Sequence, residues 1–383
     1  MADRFWVGGT GTWNSTSTAN WSASSGGAPG ASAPTSADDV FFDANSGTGT
    51  CTTDATAICH HMTMNSATLG LTLGANFTAA GSPVWTLTQG VVNINDYVLT
   101  VGAVVFTGAT ARTLAFGANT GKIVVTLGNV IVINATNVTN LTITGTKRFE
   151  CTYSGATGTR TIRGPQSAPE ARLFDVFITA GTDTVALAIT ATPRLYRTLN
   201  FDGFSGTLAN WPVTIYGDYK LNSSMTLTAG TYATTFAATS GTKQITTSGL
   251  TLDFPLTFNG IGGTFAFQDA LTQGSANAFT VINGTVQLKN GVTSTVGAFV
   301  TSGTNQKFLQ STLAGSQATL SQASGTVSAS YLTIKDINAT GGATWNAFVT
   351  NGNVDAGNNT GWDFFVQLGK YIYTRRKNKR ILL

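Results

Sequence analysis

Ile123-Val124-Val125-Thr126-Leu127-Gly128-Asn129-Val130-Ile131-Val132-Ile133-Asn134 is the stretch that decides the fold. Two apolar, β-branched runs of strand length are separated by Gly-Asn, a pair that turns the chain because glycine adopts positive φ freely and asparagine tolerates it. Outward from there the pattern recurs at Leu69–Gly74, Val91–Ile94, Leu141–Gly145, Leu250–Leu252, Val281–Leu288 and Tyr331–Ile334. Between Leu69 and Gly342 no helix-length amphipathic pattern intervenes. Strand starts recur at roughly 8–14 residues, which suits rungs of about 20–30 residues with two or three short strands each. The expected fold is all-β, a right-handed parallel β-solenoid, or β-helix, with aromatic-capped ends. Tandem β-sandwich domains would give similar spacing and are the alternative.

Composition supports stacking. Of 383 residues only 10% are charged, the only glutamates are Glu150 and Glu170, and hydrophobic residues make up 42%. Helix formers are therefore scarce, while Thr, Val, Asn and Gly favour strands and turns. The net charge of +4 is unevenly placed. Lys370, Arg375, Arg376, Lys377, Lys379 and Arg380 supply six of the 21 basic residues, so residues 1–369 hold 15 basic and 17 acidic groups, a net of −2. The body is near neutral and the basicity is a tail. Cys51, Cys59 and Cys151 are too few for a disulfide framework, and their odd number leaves at least one thiol free. The opening Met1-Ala2-Asp3-Arg4-Phe5-Trp6 lacks an apolar core of the kind that directs Sec export, and no run reaches membrane-spanning length.

Four regions follow. Residues 1–50 carry Trp6, Trp13 and Trp21 among small polar residues and read as an N-terminal cap or docking region. Residues 51–342 form the repeat body, with a possible break at 164–172, where Pro165 and Pro169 interrupt the rhythm. Large aromatics return at 343–364, where Trp345 and Trp362 form the expected C-terminal cap. Residues 365–383 read as an anchor peptide that binds a partner through Tyr371, Tyr373, Arg375, Arg376, Lys377, Lys379, Arg380, Ile381, Leu382 and Leu383. Phosphate contacts with tyrosine stacking would make the same tail a nucleic-acid binder. The body has no matching basic face, so the anchor is the stronger reading and nucleic acid is not an expected partner.

Little in the sequence points to catalysis. His60 and His61 follow Cys59, but neighbours on a strand point to opposite faces, so a shared metal is not expected. Asp38, Asp39, Asp43 and Asn45 have calcium-binding oxygens without EF-hand spacing. Glycan-cleaving solenoids pair two carboxylates on a flank. The candidates Asp175, Asp183, Asp202, Asp218, Asp253 and Asp269 form no local pair. No Walker, G-x-S-x-G or H-E-x-x-H motif occurs. No catalytic, cofactor or metal residue is assigned. Lys147, Arg148, Arg160, Arg163, Arg172, Arg194 and Arg197 are the densest charge in the body and read as a solvated loop flank, or else as a binding ledge.

Both ends carry a resemblance. Arg4-Phe5-Trp6-Val7-Gly8-Gly9-Thr10-Gly11-Thr12-Trp13, Asn20-Trp21-Ser22 and Pro34-Thr35-Ser36-Ala37-Asp38-Asp39-Val40-Phe41-Phe42-Asp43 make up the N-terminal part. Gly315–Ser321, Val327–Leu332, Ala339–Trp345 and Gly357-Asn358-Asn359-Thr360-Gly361-Trp362 make up the C-terminal part. In these segments the chain resembles β-helical tail fibre and structural proteins of tailed bacteriophages, while the middle is similar only in style. The resemblance implies a virion protein, folded in the host cytoplasm and exposed on the particle, and carries no catalytic residues. The resulting expectation is a non-enzymatic tail fibre or spike, homotrimeric, joined to other virion proteins and touching host-surface glycan, with no membrane partner. The alternatives are a capsid-mounted head fibre or decoration protein, a tailspike polysaccharide depolymerase, and a bacterial surface adhesin.

Overall fold

The computed structural model describes residues 1–81 and 83–365, together with the backbone of 367–368 and 371–372. The chain is a parallel β-solenoid of about 14 turns with aromatic clusters and almost no helix, in place of the sandwich alternative. Among the described residues no helix is long and apolar enough to cross a membrane.

Two compact units divide it: Met1–Val213 with Ser224–Thr226, and Thr214–Ser223 with Leu227–Leu383. The possible break at 164–172 does not coincide with the division between these units. Those residues stay inside the first unit as a loop with a single 3-10 turn, Glu170–Arg172, after strand Thr159–Arg163 and before strand Asp175–Ile178. Two prolines therefore mark a detour between rungs, because strands on either side still find parallel partners.

In the first unit, one face stacks Phe77–Thr78, Val98–Val101, Lys122–Val125, Arg148–Cys151 and Asp175–Ile178 in parallel. Val98, Lys122, Arg148 and Asp175 occupy one position in successive rungs, at offsets of 24, 26 and 27 residues. Alternate positions point inward: Leu99, Ile123, Phe149 and Val176 form one column, and Val101, Val125, Cys151 and Ile178 another, all buried. The strand period of two thus turns each apolar run into one layer of core. A second face runs through Asp39–Phe42, Met62–Leu73, Val84–Asn95, Ala103–Phe106 and Ile131–Asn134. Met62–Leu73 and Val84–Asn95 continue around a corner, where the register shifts, to pair with a third face. At that corner Gly90 has φ +101, and a Cβ there would lie 2.1 Å from the Ser66 carbonyl oxygen, so only glycine fits.

The second unit repeats the device. Leu256–Phe267 and Ala278–Leu288 turn a corner between Asn259 and Thr264, and then pair onward with Ala298–Thr301 and Lys307–Ser311. At the corner an amide ladder crosses three rungs: Asn305 donates to Asn283 Oδ1 at 2.9 Å, and Asn283 donates to Asn259 Oδ1 at 2.6 Å.

The expected aromatic ends are present. Trp6, Trp13, Trp21 and Phe42 pack with centroids 5.1–6.4 Å apart, and strand Trp21–Ser22 pairs antiparallel with Asp3–Trp6, a departure from the parallel rungs. Trp345 and Trp362 meet at 4.9 Å and both touch Phe299. Aromatics are not confined to the ends, however. Phe236, Phe258, Phe279 and Phe299 stack through the second unit, and Trp85, Phe106, Phe149, Phe174 and Tyr196 form a chain through the first. Each phenylalanine sits in an inward column, where full burial contributes about 1.5–3 kcal/mol. The three cysteines are all free and all buried.

Of the anchor residues, Tyr373, Arg375, Arg376, Lys377, Lys379, Arg380, Ile381, Leu382 and Leu383 lie outside the described residues. Tyr371 contributes only backbone, in strand Tyr371–Ile372, which pairs antiparallel with Gln367–Leu368.

Candidate functional site: a charged groove on the flank

The outward side of the first face is a groove of about 610 Å³ lined by Asn76, Asp96, Val98, Asn119, Thr120, Gly121, Lys122, Thr146, Arg148, Asp175 and Phe177. The outward column Val98, Lys122, Arg148 and Asp175 lines it, joined by Phe177 from the neighbouring column Thr100, Val124, Glu150 and Phe177. Charges alternate along and between them. Glu150 accepts from Lys122 Nζ at 2.8 Å and faces Arg148 Nη2 at 3.2 Å. The Arg148 guanidinium lies 4.0 Å over the Phe177 ring. Arg197 grips Asp175 through Nε at 2.6 Å and through a second contact from Nη2, and also donates to the Thr146 carbonyl at 2.7 Å.

Asp96 closes one end. Its Oδ1 accepts from the amides of Asn119 at 2.8 Å and Thr120 at 3.0 Å, and these bonds hold its carboxyl below the usual aspartate range. The groove therefore offers balanced charge, a guanidinium stacked on an aromatic face, and amide and hydroxyl side chains. Such a set can hydrogen-bond to hydroxyl groups and stack against a flat, neutral surface. The carboxylates here are committed: Glu150 to two cations, Asp175 to a guanidinium and Asp96 to amides.

The basic cluster expected as a solvated flank or a ledge divides in two. Arg148 and Arg197 do line or back the groove. Arg160 and Arg194 are instead interior, a correction with a physical cause. Arg160, fully buried, makes a two-point ion pair with Asp183 (Nε to Oδ2 2.9 Å, Nη2 to Oδ1 2.8 Å) between the Tyr153 and Phe204 rings. The acids weighed as a glycosidase pair are dispersed: Asp175 and Asp183 go to arginines, Asp253 accepts from Asn277, Asp269 from Thr247 and Ser248, and Asp218 from the Gln244 amide. Asp96 and Asp175 are the acids that line the groove, and Glu150 sits behind it on Lys122 and Arg148; Asp96 and Glu150 are not among the candidates singled out in the sequence. The signal that locates them is the offset of about one rung that separates Asp96, Lys122, Glu150 and Asp175.

The histidines are also corrected. Strand Met62–Leu73 begins after them, so His60 and His61 do not alternate. Their ring centroids are 3.9 Å apart, and both residues reach Asp39 Oδ1, His60 through Nδ1 at 3.0 Å and His61 through its amide at 3.3 Å. Asp39, His60 and His61 form a cluster of metal-ligating types. Yet His61 Nδ1 accepts the Val84 amide at 2.7 Å, which places its proton on Nε2 and makes that nitrogen a donor. One imidazole and one carboxylate remain, fewer than the three protein ligands of a catalytic zinc site. The cluster ties together residues of three rungs.

The calcium candidates are likewise spent on turns. Asp38 accepts from the Ala2 and Thr35 amides and the Thr35 hydroxyl, and Asp43 from the Asn45 amide. Burial pushes the Asp38 carboxyl up, but the Thr35 and Ala2 hydrogen bonds outweigh it and leave it below its ordinary value. Burial pushes the Cys151 thiol up to about 12, and those of Cys51 and Cys59 higher still. No protein-family model matches the chain, and no curated protein and no solved structure matches it either.

Proposed function

We propose that the chain is a non-enzymatic structural protein of a bacteriophage virion, a tail fibre or spike that displays the β-solenoid for contact with the host surface. The groove carries this reading. It is preformed on stacked strands, balanced in charge, and lined by the side chains that hold sugar hydroxyls, with Arg148 on Phe177 as a flat platform. Its carboxylates are occupied by cations and amides, an arrangement that suits binding better than proton transfer to a glycosidic oxygen. The resemblance of both chain ends to tail fibre proteins points the same way. A homotrimer, joined to other virion proteins, would bury flanks that one copy leaves exposed and would present the groove in several copies, so that weak contacts add up.

The test has two parts. Particles labelled with an antibody to this chain are imaged, and label on the tail is the expected result. Label on the capsid means a head fibre or decoration protein, and absence from particles means a bacterial surface adhesin. Purified protein is then offered host polysaccharide. Phe177→Ala with Arg148→Ala should cut adsorption about tenfold or more, the equivalent of some 1.4 kcal/mol. Release of reducing ends would replace the binding reading with a depolymerase.

A further inference from the structure

The flank of the second unit carries a cavity of its own. It encloses about 230 Å³, and its lining includes Gln287, Gln310, Ser311, Thr312, Lys335 and Asp336. Strands Ala278–Leu288, Lys307–Ser311 and Leu332–Lys335 build it. Gln287, Gln310 and Lys335 occupy one register position in three successive rungs, about 4.8 Å apart, and alternate with buried neighbours, so all three face outward. The polar groups around them are spent on the fold. Ser311 Oγ accepts the Leu313 amide at 3.3 Å, and Thr312 Oγ1 accepts the Asn290 amide at 3.0 Å while donating to Asn290 Oδ1 at 3.2 Å. The Asp336 carboxylate accepts from the Gly315 amide at 3.0 Å and from Asn358 Nδ2 at 2.7 Å.

Gln287 and Gln310 differ from these neighbours. Among the described residues neither side-chain amide makes a hydrogen bond, and Lys335 makes neither a hydrogen bond nor an ion pair. The same unit shows what stacked amides do when they serve the fold: Asn259, Asn283 and Asn305 bond to one another at 2.6 and 2.9 Å across three rungs. Gln287 and Gln310 are register partners at the same rung spacing, half-buried, and open. Each keeps an acceptor oxygen and an NH2 donor for the cavity, and each has given up part of its hydration without a partner in return. Charge narrows what can fill the space. Lys335 acts on the adjoining Asp336 carboxylate, so the lining holds one cation and one anion and favours neither sign of ion. Phe308 adds an apolar surface beside the amides. It lies two residues before Gln310 on the same face of the strand, is 39% exposed, and makes no aromatic contact among the described residues. A sugar ring meets all of these conditions: it is neutral, it offers donor and acceptor hydroxyls in adjacent pairs that match a primary amide, and its C–H face can lie on an aromatic ring.

We infer that Gln287, Gln310 and Lys335, with Phe308 beside them, form a binding site for one neutral sugar ring on the flank of the second unit. The inference rests on the glycan contact proposed above for the source of the sugar. The site itself shares no lining residue with the groove and does not depend on the groove binding sugar.

The test titrates the full chain with the methyl glycosides of glucose, galactose, mannose and N-acetylglucosamine, read by calorimetry and by saturation-transfer NMR. At least one is expected to bind saturably. Gln310→Ala and Phe308→Ala alter outward side chains and should keep the fold, checked by Tm, while each weakens that binding about tenfold. The groove variant, Phe177→Ala with Arg148→Ala, should bind the glycoside as the parent does. The inference is overturned if none of the four glycosides binds, if Gln310→Ala binds as the parent does, or if only the groove variant loses binding, a result that leaves the groove as the sugar site. Loss of the glycoside in Gln310→Ala, together with a parent chain that does not adsorb host polysaccharide, would uphold this site and remove the proposed glycan contact with the host.

Discussion

The two units solve the same stacking problem with different interiors. The four ion pairs of Lys or Arg with a carboxylate described here all lie in the first unit, including the fully buried Arg160–Asp183 pair, and Arg112 and Arg194 are buried there as well. The second unit relies on an aromatic stack, Phe236, Phe258, Phe279 and Phe299, and on the Asn259–Asn283–Asn305 ladder. Its fully buried cation, Lys307, is held by the carbonyls of Gly303 and Ser330 at 3.2 Å, and burial lowers its pKa. A solenoid tolerates either interior because each rung contributes one residue per column, and a column can be filled by charge pairs offset by a rung as well as by rings. What differs is how each interior fails.

The largest effect is expected at the buried pair. Asp183→Ala leaves the Arg160 guanidinium uncompensated and should destabilise the first unit by about 3–5 kcal/mol in denaturant unfolding, whereas the double change Arg160→Met, Asp183→Leu should come close to neutral. A double variant as unstable as the single one would mean that the pair is needed for itself. Next is the second unit's ladder. Asn283→Ala removes both amide bonds and leaves Asn259 Oδ1 and Asn305 Nδ2 without them, which should cost about 1–3 kcal/mol and speed hydrogen exchange around 259–305.

A smaller effect separates the units by pH. Asp336, in the second unit, has its carboxyl held below 3.8 by the side-chain hydrogen bond from Asn358 and the amide of Gly315. A group with a depressed folded pKa adds stability that is complete above 3.8 and lost as pH falls through the folded value. Asn358→Ala should therefore move the Asp336 titration, followed by carboxyl NMR, upward toward 3.8 and flatten the acid dependence of the second unit. The smallest effect belongs to the flank. Lys122→Ala removes a half-exposed partner of Glu150 and should change stability by no more than about 1 kcal/mol, less at high salt.

Much of the fold was legible because period-two alternation and Gly/Asn turns are local signals. The run Ile123–Leu127 becomes strand Lys122–Val125, and Val130–Ile133 becomes Ile131–Asn134. The site was less legible, for a stated reason: a solenoid brings together residues one rung apart, and the rung length varies. Lys122 meets Glu150 at a separation of 28 residues, Asp39 meets His60 at 21, and Arg160 meets Asp183 at 23. No single period aligns these pairs, so the arginines read as a solvated flank and the acids as unpaired. The histidines differ for another reason: the rule that strand neighbours point to opposite faces does not apply to them, because they precede strand Met62–Leu73 and their rings meet.

The buried thiols carry a final consequence. Cys51, Cys59 and Cys151 lie apart from solvent and are disfavoured as thiolates, so oxidants and thiol reagents find little to react with in the native state. No crosslink must be made for the interior to close, and none can be lost afterwards. The folded interior is thus the same whether the surroundings are reducing or oxidising.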